Sequence, residues 1–108
     1  MPKQKRLRMH IVLRHDLSAA SAVVAASHAS LGTYLTFKDD PLMDEWQRTS
    51  FVKIIHKALN EHHFKACREF GPHRVFTESS LGGIEVAVGF KPMETEHPWF
   101  ADIPLWSL

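Results

Sequence analysis

Apolar and polar positions alternate at the start of the chain. Over residues 7–14, Leu7, Met9, Ile11 and Leu13 fall on one side of an extended backbone and Arg8, His10 and Val12 on the other, which predicts a strand. The period then changes. Ala19, Ala20, Ala22, Val23, Val24, Ala25, Ala26 and Ala29 leave almost no polar face. Residues 19–36 therefore predict a long helix buried on most sides, with small side chains that let it lie close to a sheet. Asp16 to Ser18 supplies N-cap candidates. Gly32 does not end the helix, since Tyr34 and Leu35 continue the apolar spacing.

Asp39-Asp40-Pro41 marks a second helix, with Asp40 as cap and Pro41 at the first helical position. Leu42, Met43 and Trp46 give it an inner face through about Arg48. Residues 51–56 predict a strand carrying Val52, Ile54 and Ile55. Asn60 caps a third helix to about Phe70, with Phe64 and Cys67 inward, and Gly71-Pro72 stops it. Residues 73–77 and 84–90 predict two more strands joined by a turn at Gly82-Gly83. In the last strand Ile84, Val86 and Val88 should share one face, and Glu85 and Ala87 the other.

The order is β-α-α-β-α-β-β. A strand joined to the next strand through helices implies a parallel, right-handed crossover, and the last two strands make a hairpin. The expected class is α/β: a small mixed four-stranded sheet with helices on both faces. Residues 91–108 differ. They carry Pro92, Pro98, Pro104, Trp99, Phe100 and Trp106 without a period, and read as an extended flap whose aromatics cover an apolar groove. The same aromatics could instead form a homodimer contact or stack on bases.

At 108 residues, 1–108 reads as one domain, with a basic end at 1–6 and the aromatic, Pro-rich tail at 91–108. The net charge of +1 argues neither for nor against nucleic acid. Lys3, Lys5, Arg6 and Arg8 crowd the N-terminus, as a solvated end or as a short arm touching phosphates. Cys67 is the single cysteine, so no intrachain disulfide forms, which suits a reducing compartment. No apolar run reaches the roughly 18 residues of a membrane span. No signal peptide is legible, and a cytoplasmic location and no membrane partner are expected. Eight histidines are many for this length, but none forms a ligand pair on a helix face. A metal site is not expected, nor is a cofactor.

Two motifs carry a resemblance. Arg14-His15-Asp16-Leu17 follows the first strand, and His28-Ala29-Ser30-Leu31-Gly32 closes the first long helix. Together with Trp46 in an acidic helix and Val52-Lys53-Ile54-Ile55 in the next strand, they resemble the type 2 peptidyl-tRNA hydrolase family. The likeness covers roughly residues 7–90. It implies that family's fold, hydrolysis of the ester between a peptide and tRNA, and tRNA as partner. The departures are also clear. The family's catalytic lysine falls on Ser21 here, and the glutamine after it on Ala25. Its aspartate becomes Glu78, followed by Ser79, and a closing helix gives way to the aromatic tail.

Ester hydrolysis needs an activated water, an oxyanion stabiliser and a cationic grip on phosphates. Glu78 is the candidate base, at a strand end beside Ser79 and Ser80; an ordinary turn glutamate would read the same. Arg14 and Asp16 could be a positioning pair, or a local salt bridge and helix cap. His15 between them is a candidate acid or base, or a surface histidine. His28 reads as a satisfied core histidine on a buried helix, while the resemblance adds a substrate-binding role. Ser21 lacks the G-x-S-x-G elbow of a nucleophile and is assigned to substrate binding with Ser79 and Lys53. Lys53 and Lys57, with Arg74, could form a basic face or be solvated sheet-edge residues. Cys67 reads as a small core residue. Two functions stand against each other: a divergent hydrolase of peptidyl-tRNA or a related ester, and a non-catalytic member of the same fold that binds RNA or protein. A small-molecule hydrolase using the same cleft is a third.

Overall fold

The computed structural model describes residues 6–94 and 98–107; Lys3, Lys5 and His97 lie outside them. The chain runs β1 (Arg8–Leu13), α1 (Ala19–Phe37), α2 (Pro41–Arg48), β2 (Val52–Lys57), α3 (Glu61–Ala66), β3 (His73–Glu78) and β4 (Ile84–Phe90). The strands form one mixed sheet in the order β2-β1-β4-β3. β1 and β2 are parallel, while β4 is antiparallel to both β1 and β3. The expected α/β architecture is the one observed.

The sheet has a core on each face. On one, Met9, Ile11 and Leu13 of β1 meet Ala22, Ala25 and Ala29 of α1 and Met43 and Trp46 of α2. On the other, Val12, Val88 and Phe90 meet Phe64 and Cys67, with Phe100 and Ile103 from the tail. The tail is a cover for this second core, as its aromatics predict. It includes a 3-10 turn at Pro98–Ala101. It then lies along β2: Lys57 N donates to Pro104 O at 2.9 Å, and Trp106 N donates to Ile55 O at 3.0 Å. Leu105 bridges antiparallel to His56 between those bonds.

Several local expectations are corrected. Helix α1 is not buried on most sides. Its inner stripe is Ala22, Ala25, Ala29, Gly32 and Thr33, while Val23, Val24, Leu31 and Leu35 are 44–62% exposed. A helix without a polar face gives no sequence signal of which side faces water. The cap is Ser18, whose hydroxyl accepts from Ser21 N at 3.1 Å; Asp16 is used by Arg14 instead. β4 does not alternate regularly. Its register with β3 passes from Phe76↔Ala87 to Thr77↔Glu85 and skips Val86. This bulge puts Val86 and Ala87 in the same core and turns Glu85 toward Arg68, which grips it through Nη1 and Nη2 at 3.2 and 3.1 Å.

Helix α1 lies antiparallel across β3. Thr36 meets Arg74, Gly32 meets Phe76, and His28 meets Glu78. Four helical residues rise about 6 Å and two strand residues about 6.7 Å, so the register holds over all three pairs. Gly32 makes the approach possible, because a Cβ there would overlap the Phe76 ring. Gly89 of β4 plays the same part beneath Thr33. Phe76 is only 7% exposed and cannot swing away. Gly32→Val is therefore expected to cost roughly 2 kcal/mol or more, overpacking outweighing the small gain in helix propensity. Urea denaturation checks this; a midpoint equal to that of the wild type would show that the contact yields.

Candidate functional site

Glu78 closes β3 and opens the 3-10 turn Ser79–Leu81. Its position is set by that turn. Oε1 accepts from Ser80 N at 3.1 Å and from Ser80 Oγ at 3.0 Å. The turn is completed by Gly82 and Gly83, both at positive φ, which glycine takes without strain. Oε2 is shielded from solvent and faces His28 Nε2 at 3.2 Å. The hydrogen bonds from Ser80 hold the Glu78 carboxyl below its ordinary pKa, first the backbone N–H and then the hydroxyl, with the charge of His28 adding to them.

His28 is the largest correction to the sequence reading. It is not a core histidine: its side chain is 55% exposed, against 16% for Glu78. About one and two turns of α1 before it, Val24 and Ser21 line the same groove as the carboxylate. Ala20, Ser21, Val24, Glu78 and Ser80 line a shallow groove of about 160 Å³. The fold thus brings together Glu78, the residue standing at the lysine position, and His28. Ser79 is exposed at the turn's first position, and it is Ser80 that holds the carboxylate.

The other candidates lie elsewhere. Arg14, His15 and Asp16 follow β1. Arg14 Nε donates to Asp16 Oδ1 at 2.7 Å, and its Nη1 reaches Glu61 Oε1 of α3 at 3.9 Å. The guanidinium thus turns to the sheet face that carries α3, opposite to the one on which His28 meets Glu78. His15 is half-buried, with Nε2 3.8 Å from Asp16 Oδ2. These contacts make Arg14 and Asp16 a local ion pair. Lys53 pairs with Met9 at the start of β2, on the far edge strand, so it cannot supply a cation to Glu78. Lys91 does not either; its Nζ donates to Asp40 Oδ2 at 3.0 Å. Lys57, with its Nζ 5.2 Å from the Trp106 ring, is also on β2, at the edge of the sheet opposite to the β3 strand of Arg74, so Lys53, Lys57 and Arg74 line no continuous basic surface. Burial pushes the Cys67 thiol up to about 12, which leaves it without nucleophilic character at neutral pH.

One cluster escaped the sequence reading. His10 and His56 are both buried, and Nδ1 of His10 lies 2.8 Å from Nε2 of His56. The Phe100 ring stacks on His10 at 4.1 Å. The two histidines belong to adjacent parallel strands, a proximity that only the sheet register creates. Among the described residues no group of three or more His, Cys, Asp or Glu side chains could hold a metal ion. Nor is any helix there long and apolar enough to cross a membrane.

The family model described as peptidyl-tRNA hydrolase PTH2 matches residues 7–96. No curated protein matches the chain.

The grip of Ser80 on Glu78 can be measured. A carboxyl whose pKa is lowered on folding adds stability above its unfolded value, and that stability is lost as the pH falls through the folded one. Ser80→Ala removes the hydroxyl bond and keeps the backbone bond. The Glu78 midpoint, followed by carboxyl carbon NMR, is expected to rise toward the ordinary value of 4.5. An unmoved midpoint would show that the hydroxyl carries none of the effect.

Proposed function

Because the chain belongs to the peptidyl-tRNA hydrolase PTH2 family, we propose that it hydrolyses the ester of peptidyl-tRNA or a related ester in the groove between α1 and the end of β3. The observation that carries this reading is the 3.2 Å approach of His28 Nε2 to Glu78 Oε2 beside Ser21.

The geometry favours dividing the work between two residues. A carboxylate held below its ordinary pKa is a weak proton acceptor at neutral pH. Glu78, the base in the sequence reading, is better suited to orient His28 and to stabilise the imidazolium. With Nε2 turned to Glu78 at 3.2 Å, His28 Nδ1 is the nitrogen placed to take a proton from water. That water attacks the ester carbonyl, and the proton then passes to the departing ribose oxygen. Ser21 and Ser79 provide hydroxyls for the substrate at the groove. Arg74, on the same face of β3 and within reach of Thr36, is the cation suited to a phosphate. Arg14, His15 and Asp16 fit a supporting part, holding the end of β1 against α3.

A second reading has its own support. The side chain that faces Glu78 is an exposed histidine, the position that the resemblance gives to the family's lysine is Ser21, and α1 exposes apolar side chains. These suit a member of the fold that binds RNA or protein without hydrolysis.

Turnover of a peptidyl-tRNA by the purified protein separates the two. Hydrolysis is expected, with His28→Asn reducing it by about 10²-fold or more, the usual worth of a positioned proton acceptor. Glu78→Gln should reduce it as well, and both variants should keep the wild-type circular dichroism. Hydrolysis no faster than background in the wild type would leave the binding reading.

A further inference from the structure

The opposite flank of α1 carries a larger groove. It has a volume of about 680 Å³ and runs between α1, α2 and β2. Leu31 and Tyr34 of α1, Phe51 before β2 and Ile55 within it form its apolar walls. It shares no lining residue with the groove at Glu78.

Phe51 is the unusual element. Its φ is +55°, the only positive value outside glycine among the described residues. Its N–H donates to Trp46 O at 2.9 Å, just beyond the end of α2. Glycine or asparagine is the ordinary occupant of that left-handed position after a helix. A bulky aromatic there costs backbone strain, and the ring it carries is 53% exposed. The ring is nevertheless held in place, stacked on Trp46 at 4.9 Å between centroids. Trp46 is itself fixed, since its Nε1 donates to Val52 O at 2.8 Å. The fold thus spends strain to present an aromatic surface to the groove.

Lys53 adds charge. Its Nζ lies 4.5 Å from the Phe51 centroid and 5.9 Å from that of Trp46. It is the one formally charged side chain in the lining, and among the described residues it has no ion-pair partner. The hydroxyls of Ser27 and Ser30 flank the opposite wall. An apolar cleft with one unneutralised cation at its edge is complementary to an apolar body bearing one negative group.

We propose that this groove binds a small aromatic anion, its ring against Leu31, Tyr34 and Phe51 and its carboxylate or phosphate at Lys53 Nζ. The site is separate from the Glu78 groove and does not depend on hydrolysis there.

The test is an amide NMR titration of the full chain with three probes: N-acetyl-phenylalanine, its neutral amide, and adenosine monophosphate. At least one anion is expected to saturate at low millimolar concentration, with shifts centred on Leu31, Phe51 and Lys53, and to outbind the neutral amide. The anion that does so identifies the carboxylate or the phosphate as the preferred group. Lys53→Met, which keeps the apolar stem, should weaken that anion by about tenfold. Phe51→Gly should abolish binding while melting no lower than the wild type, because glycine relieves the backbone. Failure of both anions to saturate, equal binding of the neutral amide, or indifference to Lys53→Met would overturn the proposal.

Discussion

The contact between Gly32 and Phe76 sets the geometry of this molecule. Helix α1 can lie close on the sheet only because no side chain stands between its backbone and that ring. Once this distance is fixed, the pairs on either side follow. Thr36 falls at Arg74 and His28 at Glu78, one helical turn from the glycine in each direction. A helix lifted by one methyl group would still bury its alanines in part, but it would carry the imidazole out of reach of the carboxylate. Close packing thus works here as a ruler for polar groups rather than only as a source of stability.

Much of the fold was legible along the chain. Strands and helices announced themselves through period and caps: Asp40 before Pro41, Asn60 before α3, and the glycine pair before β4 all act as read. The failures have common physical causes. An alanine-rich helix with no polar stripe does not declare its outer side, so the exposure of Val23 and Leu31 and the placement of His28 stayed hidden. The bulge at Val86 shifts a register without any turn residue to mark it. Glu78 could be named from the resemblance and its place at a strand end, but its partner could not, because His28 is fifty residues away. His10 and His56 meet for a similar reason, through strand register. Phe51 stands where glycine would be expected, and a sequence pattern does not show a residue held against its own preference.

The two flanks of α1 differ in chemical character. The one toward β3 is small, and holds a carboxylate fixed by a serine turn. The other is wide and apolar, with a lysine as its charge. A single helix separates them, so its inner packing governs the shape of both.

The segment at Pro104–Trp106 has a consequence beyond covering a core. Strand β2 is an outer strand, and its backbone donors and acceptors would otherwise invite another chain to add to the sheet. The Lys57 N–H and the Ile55 carbonyl instead bond to the protein's own tail. The tail thus covers the end of this edge with a single antiparallel bridge. On this side part of the sheet edge is closed to other chains by the same residues that a first reading treats as an appendage.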